Sequence, residues 1–188
     1  MAGKTTVALT TEQVKEIINT MRLGGAGFHA NERIATCLLL EANLGVRISD
    51  ILKLRLSDII KDGSNYRLNI IEKKTGKKRT FLVPLEIFQF LQVYCLKHGI
   101  LDTEIIFPIR ERTVQKYLKT VVDYLGIENI GTHSFRKCFA TDIYDSHGHD
   151  IELVRELLQH SSVKTTQRYI KRSPEKLESA IRGRIILA

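Results

Sequence analysis

A histidine and an arginine three residues apart, at the entry to a helix, are the residues best placed for chemistry in this 188-residue chain. In Gly131-Thr132-His133-Ser134-Phe135-Arg136 a short loop runs into an amphipathic segment whose Phe135, Phe139 and Ile143 recur every four residues. His133 and Arg136 are expected to project together beside the positive end of that helix's dipole. A rigid guanidinium, a neighbouring imidazole and a helix N-terminus suit an anion, and a phosphate above all.

Other residues can serve such a site, each with a plainer alternative. Arg47, between Gly45-Val46 and an apolar helix start, reads either as a surface ion pair or as a placed anion ligand. Lys73, Lys74, Lys77, Lys78 and Arg79 crowd the tip and flanks of a hairpin turning at Gly76. They suit a solvated edge as well as a basic finger on a nucleic-acid backbone. Arg112, Lys116 and Lys119 line the polar side of a later helix, able to face phosphates or plain water. Taken singly, His160 reads as a capping or surface histidine and Tyr169 as a core aromatic. His147 and His149 flank Gly148 in what reads as a turn rather than a metal site.

The elements that must position these residues follow from periodicity and caps. Thr10-Thr11-Glu12-Gln13 forms a capping box ahead of Val14, Ile17, Ile18 and Met21. Gly24, Gly25 and Gly27 close that helix. A second helix runs from Asn31 to about Gly45, with Ile34, Leu38, Leu39 and Ala42 on one face. Ser49 is expected to cap a short helix carrying Ile51, Leu52 and Leu54 inward. Ser57–Ile60, Tyr66–Ile71 and Thr80–Val83 read as strands, and Pro84 starts a helix that His98-Gly99 ends. A helix over Arg112–Leu125 precedes the one carrying Arg136. Asp150 caps another ending at Gln159, and Ser173-Pro174 starts the last.

Composition sets the frame. Apolar residues make up 43% and the formal charge is +8, which indicates a folded chain and favours a polyanionic partner, although ribosomal proteins share that profile. Three scattered cysteines, Cys37, Cys95 and Cys138, fit neither a disulfide framework nor a zinc knuckle and read as buried thiols. No apolar run approaches the roughly 18 residues of a membrane span, and a cytoplasmic protein is expected.

Five stretches, in order, resemble the catalytic domain of the tyrosine recombinases, the phage-integrase family. Gly45-Val46-Arg47-Ile48-Ser49-Asp50 is similar to the box of the first catalytic arginine. Lys74-Thr75-Gly76 looks like the catalytic-lysine hairpin, with Lys77 the substitute in another register. His133-Ser134-Phe135-Arg136 matches the His-x-x-Arg box. Leu157-Leu158-Gln159-His160-Ser161-Ser162 resembles the box of the second histidine, and Thr165-Thr166-Gln167-Arg168-Tyr169 the segment of the nucleophilic tyrosine. Two departures stand out: Lys137 where many members have histidine, and Gln159 where glycine commonly precedes the second histidine.

The resemblance implies an α+β fold, mostly α, with a small three-stranded antiparallel sheet. It implies that Arg47, Arg136 and His160 bind the scissile phosphate, that His133 holds the phosphate or moves the tyrosine proton, and that Lys74 protonates the leaving 5′-oxygen. Tyr169 is then the nucleophile of a 3′-phosphotyrosyl intermediate, and Asp50 a support. No cofactor, metal or ATP is implied, because the covalent link preserves the phosphodiester energy. The expected partner is double-stranded DNA, met by a free monomer that assembles into a synaptic homotetramer, for integration or excision of a mobile element. Topoisomerase-like nicking and an idle DNA-binding accessory are the alternatives. Residues 1–10 read as a leader or linker remnant and 11–188 as the catalytic domain, without the helical DNA-binding domain that usually precedes it.

Overall fold

A computed structural model describes residues 6–71, 76 and 78–170, the side chains of residues 70, 71, 78, 79 and 81 excepted. Lys73, Lys74 and Lys77, with the expected last helix, lie outside the described residues.

Two helices open the fold. In α1 (Thr11–Leu23), Thr10 and Gln13 form the expected capping box. In α2 (Glu32–Leu44) the Asn31 side chain accepts from the Ile34 N–H, and Gly45 closes the helix in the left-handed conformation. The short α3 (Ile48–Ile51) departs from expectation, because Arg47 rather than Ser49 stands at its N-cap. The helix must begin early enough to turn Ile48 inward, where it is 1% exposed.

A 3-10 turn over Leu56–Asp58 takes up the start of the expected first strand, with the Asp58 carboxylate accepting the Arg55 N–H at 2.8 Å. The antiparallel sheet follows as β1 (Ile59–Asp62), β2 (Asn65–Ile71) and β3 (Lys78–Val83), in that order. Ile59 pairs with Leu68, and Tyr66 with Val83. Buried Leu68 and Val83 give the sheet an inward face, which its pairing register sets. Lys78 and Arg79 thus fall within β3.

Then come α4 (Leu85–His98) and α5 (Glu111–Tyr124), which precede α6 (Thr132–Ser146), α7 (Ile151–Leu158) and α8 (Val163–Gln167). α6 is the centre of the architecture. It packs on α2, α5 and α7, and α7 packs on α8. Its first two turns are therefore buried on nearly every side, Ser134, Phe135, Arg136, Lys137 and Cys138 included. Phe135 joins the main core, whereas Phe139 and Ile143 pack on a second apolar cluster formed by Ala140, Val154 and Leu158. The expected single stripe is thus shared between two cores, which fixes α6 to both halves of the fold. Residues 6–10 run beside it: the Val7 N–H donates to Asn129, and Leu9 is buried. All three cysteines are buried free thiols. No helix among the described residues is long and apolar enough to cross a membrane.

Candidate active site

Arg136 sits at the meeting point of three elements. Its guanidinium donates through Nη1 to the Gly45 carbonyl at the end of α2, and through Nη2 to the Leu158 carbonyl at the end of α7, at 2.8 Å. Gly45 is two residues from Arg47, and Leu158 two from His160. One side chain thereby brings the first-arginine box, its own box and the second-histidine box around a single point. Against expectation, Arg136 does not project with His133. Arg136 is 0% exposed, while His133 is exposed at the helix entry. The packing of α6 on α2 and α7 draws Arg136 inward, and one turn earlier the loop leaves His133 at the rim.

His133, although exposed at the rim, has its pKa lowered, first by partial desolvation of its ring and then by the cations Arg136, Lys137 and Arg47, with Glu111 opposing. A charge effect from both arginines places this imidazole within their field. The folded state thus binds this proton less readily than the unfolded chain, and the stabilisation from keeping His133 neutral is full above the ordinary value of 6.5 and lost as pH falls below it. The urea midpoint of the wild type is expected to fall more steeply than that of His133→Gln as pH is lowered through that window. Parallel curves would show that the imidazole titrates as in the unfolded chain.

His160 is 7% exposed, and its Nδ1 lies 3.0 Å from the hydroxyl of Thr166, itself 0% exposed. The rings of His160 and Tyr169 are 4.8 Å apart between centroids, tilted by 60°. Tyr169 is half-buried against the second apolar cluster. Gln159, just before His160, adopts a left-handed conformation with φ 52°. That conformation costs a non-glycine residue about 1–3 kcal/mol, which explains the glycine common at this place. Arg47 is half-buried at the start of α3, and Asp50 is 5% exposed on the same short helix. Arg112, Lys116 and Lys119 are exposed on α5, as expected of its polar side. Lys119 forms an ion pair with Asp123 at 2.6 Å, so its charge is partly countered.

Sequence reasoning missed Glu41 and Thr166 near the site, and noted Lys137 only as a departure from the family pattern. Glu41 is 0% exposed on α2. Burial pushes its carboxyl well above the usual range, outweighing the pull of Arg136 and of the Ile48 N–H. Its signal was a carboxylate three residues after Leu38, on an otherwise apolar helix face. Lys137 donates to the Thr6 carbonyl, and its ammonium lies 5.7 Å from the centre of the Tyr169 ring. Thr166 carried no signal in the sequence beyond its place near Tyr169.

The family model for the phage integrase family matches residues 8–176. The chain belongs to the phage integrase family. Among its relatives, the probable integrase/recombinase YoeC of Bacillus subtilis strain 168 is 31% identical over 74% of this chain and 78% of its own length. Tyrosine recombinase XerA of Pyrococcus furiosus is 28% identical over 93% of the chain and 60% of its own. The XerH site-specific recombinase, solved in a post-cleavage complex with palindromic difH substrate, shares the fold. Its TM-score is 0.74 at 19% identity, over 96% of this chain and 53% of its own. The chain therefore spans little more than half the length of XerA or XerH. As a member of the integrase family it has the fold its sequence resembled: mostly helical, with a small three-stranded antiparallel sheet.

Proposed function

We propose that this chain cleaves and rejoins double-stranded DNA through a covalent bond to Tyr169, as the catalytic part of a site-specific recombinase. The observation that supports this reading is buried Arg136, bonded at once to the Gly45 and Leu158 carbonyls, two residues from Arg47 and His160 respectively, with the His160 ring beside that of Tyr169. A phosphodiester acquires additional negative charge as it passes through a five-coordinate phosphorane. Fixed guanidiniums stabilise that charge without reorganising, commonly the largest catalytic contribution. The Tyr169 phenolic oxygen attacks phosphorus and the bond to the 5′-oxygen breaks, leaving a 3′-phosphotyrosyl link. His133, held neutral, accepts the phenol proton, and Lys74 gives a proton to the leaving oxygen. Arg47, Arg136 and His160 hold the non-bridging oxygens, and Asp50 supports Arg47. A second 5′-hydroxyl then reverses the step on another strand, with no metal or nucleotide cofactor consumed. Arg112, Lys116, Lys78 and Arg79 meet the DNA backbone, joined by Lys73, Lys77 and Lys119.

Such a reaction in the cytoplasm suits integration or excision of a mobile element, by monomers that assemble as a tetramer on two sites. The test is a nicked duplex that loses its 5′-hydroxyl fragment on cleavage and so traps the intermediate. The expected result is a covalent adduct that denaturing gels resolve and that Tyr169→Phe does not form. Undiminished DNA binding without any adduct would instead assign the chain an accessory role. Supplying two matched sites then separates strand exchange from mere relaxation.

A further inference from the structure

Resting on the reading above, we infer that Thr166 is a positioning residue that sets the protonation state of His160 and the place of Tyr169 together. Its side chain and its main chain act on different partners. The hydroxyl lies 3.0 Å from His160 Nδ1, in a pair that is buried on both sides. The carbonyl accepts the Tyr169 N–H at 2.8 Å and that of Ile170 at 3.3 Å. Thr166 is itself held by α8, whose first turn is capped by Ser162 accepting the Thr165 N–H. The His160 backbone is fixed independently, its N–H donating to the Arg155 carbonyl at 3.0 Å. Two anchored stretches are therefore joined by a buried hydrogen bond, and the tyrosine follows three residues after Thr166.

A hydroxyl can donate or accept, and the bond is assigned one direction here, with Thr166 donating to His160 Nδ1. A neutral ring carries its proton on one nitrogen only, and the hydrogen bond at the other nitrogen selects which. A threonine hydroxyl donating to Nδ1 leaves the proton on Nε2, which makes Nε2 a donor to a phosphate oxygen while the ring stays uncharged. The opposite tautomer would turn a lone pair towards that oxygen. Hydrogen-bond partners that orient a histidine one step removed from the reacting centre are worth about 10–100-fold in metal sites, and the same order is expected here. Valine is nearly the shape of threonine and lacks the hydroxyl, whereas serine keeps the hydroxyl and lacks the methyl group.

The test combines nitrogen NMR of the histidine side chains of the 188-residue chain near neutral pH with single-turnover cleavage of the nicked duplex. The His160 signal, assigned by its loss in His160→Gln, is expected to report protonated Nε2 and unprotonated Nδ1. In Thr166→Val that tautomer preference is expected to weaken and cleavage to slow by about 10–100-fold at unchanged DNA affinity, and Thr166→Ser to restore both. A wild-type ring protonated on Nδ1 overturns the inference whatever the variants do. So does a Thr166→Val protein with the wild-type tautomer and rate. The tautomer is read without DNA or catalysis, so a wild type that forms no adduct defeats the functional reading alone.

Discussion

Arg136→Lys is expected to reduce cleavage of the nicked duplex by about 10²–10³-fold while also destabilising the fold by about 1–3 kcal/mol. The two losses share one cause. The guanidinium is a planar fork that reaches the Gly45 carbonyl from one nitrogen and the Leu158 carbonyl from the other. An ammonium offers three donors from a single point and cannot span two acceptors on separate elements. One carbonyl is left short of its partner in a region without solvent, and α2 and α7 lose their shared tie. The phosphate loses the bidentate geometry as well as the placement of the charge. Urea denaturation measures the first effect. Single-turnover adduct formation, at a temperature where circular dichroism shows the variant folded, measures the second. A variant cleaving within threefold of wild type would show that charge develops elsewhere than at Arg136. Arg136→Met is expected to destabilise more, by about 3–5 kcal/mol, because both carbonyls are then deserted. Its adduct yield would report folding rather than chemistry, which makes lysine the informative variant.

Local chemistry explains what could be read from residue order. Caps act within four residues, so the Thr10–Gln13 box and the Asp150 cap were legible. Alternation gave the hairpin because Leu68 and Val83 must face the core together. The five boxes supplied the family, since each is a short run of neighbouring residues. Tertiary packing decided the rest. Ser49 lost its capping role because Ile48 had to be buried, a demand made by the core and not by the neighbouring residues. Arg136 parted from His133 because α6 is enclosed by other elements, which no helical periodicity of α6 itself reveals. The pairing of Thr166 with His160 spans six residues and a change of direction between α7 and α8. Glu41 shows the same limit from the other side: its position was readable, but the upward shift of its carboxyl comes from complete burial outweighing the cation beside it.

The second large effect is expected at Gly45, where backbone, packing and site coincide. Gly45 has φ +56°, and a Cβ built there would stand 2.4 Å from Cδ1 and 2.6 Å from Cε1 of the Phe139 ring. Gly45→Ala therefore incurs two costs: about 1–2 kcal/mol for a side chain in the left-handed region, and about 1–3 kcal/mol for forcing an extra carbon into a packed contact. A total loss of about 2–5 kcal/mol is expected. Urea unfolding would measure it, and Gly63→Ala provides the control, since Gly63 has φ +60° with nothing within 4 Å of an added Cβ. The difference between the two variants isolates the clash with Phe139. Adding Phe139→Leu to Gly45→Ala should recover part of that difference but none of the backbone cost, so the double variant should be less damaged than the sum of the singles. Strict additivity would mean that the ring moves aside freely. The site should suffer too. The Gly45 carbonyl accepts from Arg136, and Arg47 follows two residues later, so any shift that relieves the ring moves both arginines relative to each other. Cleavage by folded Gly45→Ala protein should therefore fall where Gly63→Ala leaves it unchanged. This contrast tests whether close approach of α2 and α6 is what holds the two arginines in register.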